Sequence, residues 1–187
     1  MMIAGVDEVG RGPLAGPVVT AAVVLPKEYD LPGLNDSKKI TKKKREILAS
    51  LIKGQAVSWA FGEASIEEID TLNILHATML AMQRAVSNLS IAPERVLVDG
   101  NRTPEFGIPS QAIVGGDGKE PAISAASIIA KVERDGLMAG YAQQYPHYGF
   151  EKNSGYPTKQ HRDALIKYGP TPIHRTSFAP VQAVLDF

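Results

Sequence analysis

Two apolar runs near the start of the chain, "IAGVDE" and "PVVTAAVVL", are separated by the glycine- and proline-rich segment "VGRGPLAG". Short runs rich in β-branched residues and bounded by turn formers predict buried strands, with the segment between them supplying the turn. A chain that opens this way is committed to a sheet. "AVSWAFGEA" predicts a third strand, "ERVLVDG" a buried strand ending in Asp99, and "SQAIVGGDG" a short strand ending near Asp117.

Between the second and third strands, residues 41–53 place Ile47, Leu48, Leu51 and Ile52 at helical spacing behind Thr41, which predicts a surface helix. Ser65 followed by Glu68 is a capping-box pattern opening "IEEIDTL", and "NILHATMLAMQRAVSNL" carries a long apolar face at helical period. "PAISAASIIAKVERDGLMAGYAQQY" predicts a helix behind Pro121, and "TKQHRDALIKYG" a further helix closed by Gly169. Strands come first, helices later, and the two mix between. The class is α/β, with a sheet that is not purely parallel.

At 187 residues, 44% of them hydrophobic and 21% charged, the chain has the length and composition of one globular core, so a single domain over residues 1–187 is expected. It contains no cysteine, which excludes a disulfide framework, a thiolate zinc site and a cysteine nucleophile. No apolar run reaches the length of a membrane span and no signal-peptide pattern opens the chain, so a cytoplasmic location without membrane contact is expected. The 20 basic and 20 acidic residues cancel, which argues against coating nucleic acid by bulk charge; such a partner needs local patches.

Asp7 with Glu8, Asp99 and Asp117 share one placement: each follows a short apolar run and precedes glycine or a glycine-containing turn. Neighbouring strands in one sheet would bring their C-terminal ends, and so the four acids, together. Close carboxylates raise one another's pKa, and a divalent cation resolves the conflict. An oxygen-only ligand set suits Mg²⁺ or Mn²⁺, and two such ions roughly 3.5–4 Å apart can clamp the attacking and leaving oxygens of a phosphodiester. Taken singly, Asp99 or Asp117 reads as a solvated or capping residue; the set of four reads as a metal site. Adjacent residues of a strand point to opposite faces, so Asp7 and Glu8 reach one site only if the strand ends there, which Gly10 and Gly12 make easy.

Other motifs fail on context. "GRGPLA" satisfies a dinucleotide fingerprint but leads into a second strand instead of a helix. "GGDGKE" lacks the first glycine and the Ser or Thr of a phosphate loop, and no G-x-S-x-G elbow occurs. Histidines 76, 147, 161 and 174 are scattered without metal-ligand spacing, and His161 reads as a surface residue. "DSKKITKKKRE" concentrates cations; the later lysines read as a solvated helix start, whereas Lys38 and Lys39 lie in the preceding loop, where ammonium groups can meet phosphates. Asp135, four residues after Lys131, reads as half of a helix-surface pair.

The blocks "GVDEVGRGPLAGPVV", "LNDSKK", "LNILHATMLAMQRAV", "VLVDGN", "ISAASIIAKVERD", "GYPTKQH" and "HRTSFAPV" resemble, in the same order, those of the bacterial ribonuclease HII family. The resemblance covers nearly the whole chain. It implies a ribonuclease H-like fold, a five-stranded mixed sheet flanked by helices, with a helical C-terminal part from about residue 140. It implies an endonuclease acting on RNA/DNA hybrids and on the 5′ side of a ribonucleotide embedded in duplex DNA, leaving a 3′-hydroxyl and a 5′-phosphate. By motif match, Asp7, Glu8, Asp99 and Asp117 would be the catalytic, metal-binding carboxylates. Gly10, Arg11 and Gly12 would recognise the ribonucleotide and its phosphate, Tyr156 would pack on the following deoxyribose, and Lys38 would lie near the substrate backbone. A monomer is expected.

Two departures from the family pattern carry expectations of their own. "NSGY", Asn153 to Tyr156, stands where many relatives have "HKGY", which implies weaker duplex binding; Gly115 stands where many have lysine, which implies a more mobile Asp117. Competing readings are another two-metal nuclease on the same fold, or a non-catalytic module. For the latter, Gln182, Leu185 and Phe187 of "QAVLDF" loosely resemble a sliding-clamp peptide; the alternative is a short final helix packing Val181, Val184 and Leu185.

Overall fold

A computed structural model of the chain describes residues 1–36 and 38–186. The opening runs form β1 (Ile3–Val9) and β2 (Val18–Val24), followed by β3 (Ser58–Ala64), β4 (Arg95–Asp99) and β5 (Ser110–Ile113). They make one sheet in the order β3-β2-β1-β4-β5. The first three strands pair antiparallel, whereas β1–β4 and β4–β5 are parallel, so the sheet is mixed.

Among the described residues, seven helices surround it: α1 (Lys42–Gln55), α2 (Ile66–Leu72), α3 (Ile74–Ser87), α4 (Pro121–Gln144), α5 (Phe150–Asn153), α6 (Lys159–Tyr168) and α7 (Ala179–Leu185). Their ends follow local chemistry. Thr41 caps α1 by accepting the Lys44 N–H, Ser65 and Glu68 form the reciprocal capping box of α2, and Pro121 opens α4. Of the apolar residues on α1, Leu48 and Ile52 enter the core while Ile47 and Leu51 stay exposed. Among the described residues no helix is long and apolar enough to cross a membrane.

Strand alternation sorts the core into two layers. Ala21 and Val23 face α1 and α4 with Ile52, Ile128 and Ile129, whereas Ala4, Val6, Val96 and Val98 face α3 with Met82 and Ala85. Two glycines let helices press onto the sheet. A Cβ on Gly5 would stand 2.2 Å from the Ala122 carbonyl carbon of α4, and one on Gly62 would stand 2.3 Å from the Ala81 oxygen of α3. Beyond α4 the chain folds back as α5–α7 against the segment between β1 and β2, with Leu14, Leu165 and Val181 in one cluster and Ala15, Met138, Phe150 and Ile173 in another. Val181 and Val184 of α7 pack as expected; Leu185 does not, being 48% exposed, and Phe187 lies outside the described residues.

Because the neighbours of Gly5 are helix backbone, which cannot swing aside, Gly5→Ala is expected to cost about 3 kcal/mol or more. Urea unfolding of the purified variant checks this; a midpoint equal to that of the parent chain would refute the close approach.

Candidate active site

The parallel register decides where two of the four acids stand. Val6 pairs with Val98, so the next residues, Asp7 and Asp99, lie side by side on the face covered by α4. Asp117 reaches them from another direction. The strand expected to end near it stops at Ile113, and Asp117 lies in a short 3-10 turn, Gly116–Gly118, just before α4. Its main-chain N–H donates to Asp99 Oδ1 at 3.1 Å, and its carbonyl accepts the Ser124 hydroxyl. The turn is thus tied at both ends of one residue. Gly115 supports it in a left-handed conformation, φ +68°, that a lysine would adopt only with strain.

Glu8 corrects a second expectation. β1 does not end at Asp7 but stays paired with β2 through Glu8–Thr20 and Val9–Val19. Glu8 nevertheless borders the same site, because at this edge it faces a cleft shared by Arg11, Thr78, Met82, Asp99 and Arg102, and it also borders a second cleft with Lys38, Arg45 and Lys131. Its main-chain N–H donates to Asp7 Oδ1 at 2.8 Å.

The electrostatics are those of an under-neutralised acid cluster. Burial, then the neighbouring charges of Glu8 and Asp99, push the Asp7 carboxyl far above its ordinary value of 3.8, to about 9. Burial also pushes Glu8 up, opposed by the contact to Asp7 and by Arg11, whose guanidinium is 3.9 Å from Glu8 Oε1. Glu8 Oε2 is buried with no hydrogen-bond partner among the described residues. Lys38 approaches Asp117, Nζ to Oδ2, at 3.4 Å. As the side chains stand, no three acids or imidazoles among the described residues close into a ready ligand set. The donors do fit a hard divalent cation: they are all carboxylate oxygens, one is orphaned, and one carboxyl is pushed up by burial and by its acidic neighbours.

The glycine-arginine-glycine segment and Tyr156, 144 residues apart by number, are brought together: a Cβ on Gly12 would stand 3.3 Å from the Tyr156 ring. Two residues that no local pattern singles out arrange this. Arg134 of α4 and Arg175 are both fully buried, yet neither forms a salt bridge among the described residues. Arg134 donates to the carbonyls of Ala15, Pro17 and Ser154, and Arg175 to those of Gly10, Arg11, Pro13 and Gly16. Burial pulls both below their ordinary 12.5, to about 10 and about 9, so both remain cations at neutral pH. Gly10, at φ +97°, is obligatory here, since a Cβ would meet the Arg134 Nε at 2.2 Å.

The "NSGY" segment is likewise structural. Asn153 donates to the Tyr148 carbonyl and accepts the Gly155 N–H, while Ser154 donates to Asp135, which also pairs with Lys131 at 2.8 Å. His161 is not at the surface: it is fully buried against His174. Asp70 of α2 anchors the following segment by accepting from the main-chain and hydroxyl groups of Thr176 and Ser177.

A five-stranded mixed sheet in this order, with acids at adjacent strand ends and a long helix across one face, defines the ribonuclease H-like class. Solved structures agree: the chain superposes on the ribonuclease H2 of Pyrococcus horikoshii with a TM-score of 0.82 at 29% identity, covering 100% of this chain and 98% of that one. It superposes on ribonuclease HII in a PCNA complex from Archaeoglobus fulgidus with a TM-score of 0.81 at 27% identity, over 96% of each chain. Residues 4–181 match the family model for ribonuclease HII. The ribonuclease HII of Neisseria meningitidis serogroup B is 58% identical over 99% of this chain and 96% of its own length, and that of Shewanella halifaxensis is 62% identical over 97% and 90%. The chain belongs to the ribonuclease HII family, and so to the ribonuclease H hydrolases.

Asp7 generates a pH prediction. A carboxyl whose folded pKa lies above its unfolded value loses stability as pH rises, here progressively from about pH 4 to about pH 9. Asp7→Asn keeps the shape without the charge, so the metal-free variant is expected to be more stable than the parent at pH 7 by on the order of 2–4 kcal/mol, with the gap closing below pH 4. Thermal melts in EDTA across this range check it; equal melting temperatures at pH 7 would mean that Asp7 ionises without penalty.

Proposed function

We propose that the chain is a divalent-metal-dependent endonuclease that hydrolyses the RNA strand of RNA/DNA hybrids and cuts 5′ of single ribonucleotides in duplex DNA, as in ribonucleotide removal. The observation that carries the reading is the buried, under-neutralised meeting of Asp7, Glu8 and Asp99, with Asp117 tied to Asp99, beside a glycine loop faced by an aromatic ring. Asp7, Glu8, Asp99 and Asp117 would hold two Mg²⁺ or Mn²⁺ ions. Bound there, such ions would polarise the scissile phosphate, lower the pKa of a water and stabilise the departing oxygen.

The remaining work falls to the chain's own residues. Gly10 and Gly12 lack side chains, so main-chain groups of the loop can approach the 2′-hydroxyl, the group that separates ribose from deoxyribose. Arg11 and Lys38, both exposed at the cleft rim, carry the charge that meets the phosphates. The Tyr156 ring, 39% exposed above Gly12, would pack on the next sugar and leave no room for a hydroxyl there. Hydrolysis places the water oxygen on phosphorus as the bond to the 3′-oxygen breaks, leaving a 3′-hydroxyl on one fragment and a 5′-phosphate on the other.

A DNA duplex with a single ribonucleotide tests the reading. Nicking 5′ of the ribonucleotide with Mg²⁺ or Mn²⁺ is expected, and absence of nicking would favour a nuclease restricted to long hybrids or to junctions. Asp117→Asn is expected to fold and to lose at least the roughly 100-fold that removing even an outer-shell partner of a metal can cost; undiminished cleavage would remove Asp117 from the site.

The Archaeoglobus structure is of a complex with the clamp PCNA. Gln182 and Leu185 are exposed on α7, which supports a contact of the same kind here. Deleting residues 182–187 is expected to abolish co-elution with a sliding clamp, and unchanged co-elution would end that reading.

A further inference from the structure

Two imidazoles that the proposed chemistry does not use lie side by side in the C-terminal part. His161 on α6 and His174 in the turn-rich segment beyond it are 0% and 2% exposed, and their Nε2 atoms are 2.9 Å apart. Aromatic rings wall them in, with Tyr148 5.0 Å from His174 and Phe150 5.3 Å from His161 between ring centroids.

Only one placement of protons satisfies every contact. The Thr171 main-chain N–H donates to His174 Nδ1 at 2.9 Å, which makes that nitrogen the acceptor also for the Thr171 hydroxyl at 2.9 Å, so it carries no proton and the neutral ring carries its proton on Nε2. This proton is donated to His161 Nε2, which leaves His161 Nδ1 as the donor to the Tyr156 carbonyl at 2.9 Å. An added proton on either ring would set N–H against N–H in a buried space walled by aromatic rings. Burial accordingly pulls both imidazoles below their ordinary 6.5, His174 to about 3 with His161 as the second cause.

The chain of donors ends on the residue whose ring covers Gly12. Its first ring, His174, is one residue away from Arg175, which holds the carbonyls of Gly10, Arg11, Pro13 and Gly16. Consecutive residues of one turn-flanked segment therefore reach the two walls of the gap between the glycine loop and Tyr156: Arg175 directly, and His174 through His161.

We infer that His161 and His174 are positioning residues for Tyr156: the relay from Thr171 through both rings to the Tyr156 carbonyl sets how strictly the site demands a deoxyribonucleotide after the ribonucleotide. The selectivity in this statement rests on the reading of Tyr156 proposed above; the proton order does not.

Imidazole ¹⁵N spectra of the intact protein test the order itself. His161 protonated at Nδ1 and His174 protonated at Nε2 are expected at pH 7, with His174 unchanged down to about pH 5, and any other tautomer pair, or proton uptake by His174 in that range, overturns the relay. Selectivity is read as the ratio of kcat/KM on a single-ribonucleotide duplex to that on a continuous RNA/DNA hybrid. In His161→Asn the amide nitrogen replaces Nδ1 and can still donate to the Tyr156 carbonyl, whereas in His161→Gln the amide lies further out and cannot. His161→Gln is expected to lower the ratio about tenfold, the rate equivalent of one lost hydrogen bond, and His161→Asn to restore it. Equal losses on both substrates in both variants would reduce the pair to a packing role and overturn the inference. Tyr156→Ala serves as the reference. An unchanged ratio there overturns the reading of Tyr156 and the selectivity with it, while a changed ratio there beside an unchanged one in His161→Gln overturns the relay alone.

Discussion

Two buried guanidinium groups, neither paired with a carboxylate among the described residues, hold the loop between β1 and β2 in place. Taking a cation out of water is costly, and an opposite charge is the usual compensation. Arg134 and Arg175 use main-chain carbonyls instead, each a partial charge, so several have to converge on each fork. That requirement shapes the segment between β1 and β2: its carbonyls turn inward around the two forks. The surface left to the outside is Gly12 with the Arg11 side chain. Lysine could not substitute, because its donors share a single nitrogen and cannot spread across carbonyls from Gly10 to Gly16.

The acid cluster obeys the opposite constraint. The parallel pairing of β1 and β4 sets Asp7 beside Asp99 whether or not the charges favour it, since slipping the register by one residue would turn both core faces inside out. Had either buried arginine paired with Asp7, each charge would be satisfied and neither would act on a ligand. The fold instead keeps them apart, arginines beneath the loop and acids at the strand ends, so the negative site is left to cations and the positive one lies under a surface suited to anions. A phosphodiester flanked by divalent ions is complementary to that division.

The parts that were legible in the sequence are those governed by local rules. Periodicity, caps and turn residues recover all five strands and the long helices, because burial of a strand and the capping by Thr41, Ser65 and Pro121 are written within a few residues. The acids were visible as a set from their shared position, although Asp117 proves to sit in a 3-10 turn and Glu8 inside a continuing strand. Arg134, Arg175 and the meeting of His161 with His174 were not legible. A charged residue on a helix reads as a surface residue, and only a contact across more than a hundred positions, as from Arg134 to Ala15, turns it into a core group.

The two halves of the proposed site are held to a common frame by α4. Near its start, Ser124 binds the carbonyl of Asp117; further along, Arg134 holds the loop and the Ser154 carbonyl, and Asp135 takes the Ser154 hydroxyl. The ten residues from Ser124 to Arg134 span roughly 15 Å of helix, with no proline inside to bend it. The separation between the carboxylate turn and the Tyr156 segment is therefore a property of a buried, regular helix and not of the loops that carry the side chains. A nuclease that has to match a ribose in one place to a phosphate in another needs that separation fixed before the substrate arrives, since a site that closed only on binding would spend binding energy on assembly. Gly5, by letting α4 lie directly on β1, locks the same helix to the strand that carries Asp7. The absence of one side chain thus sets the position of both halves.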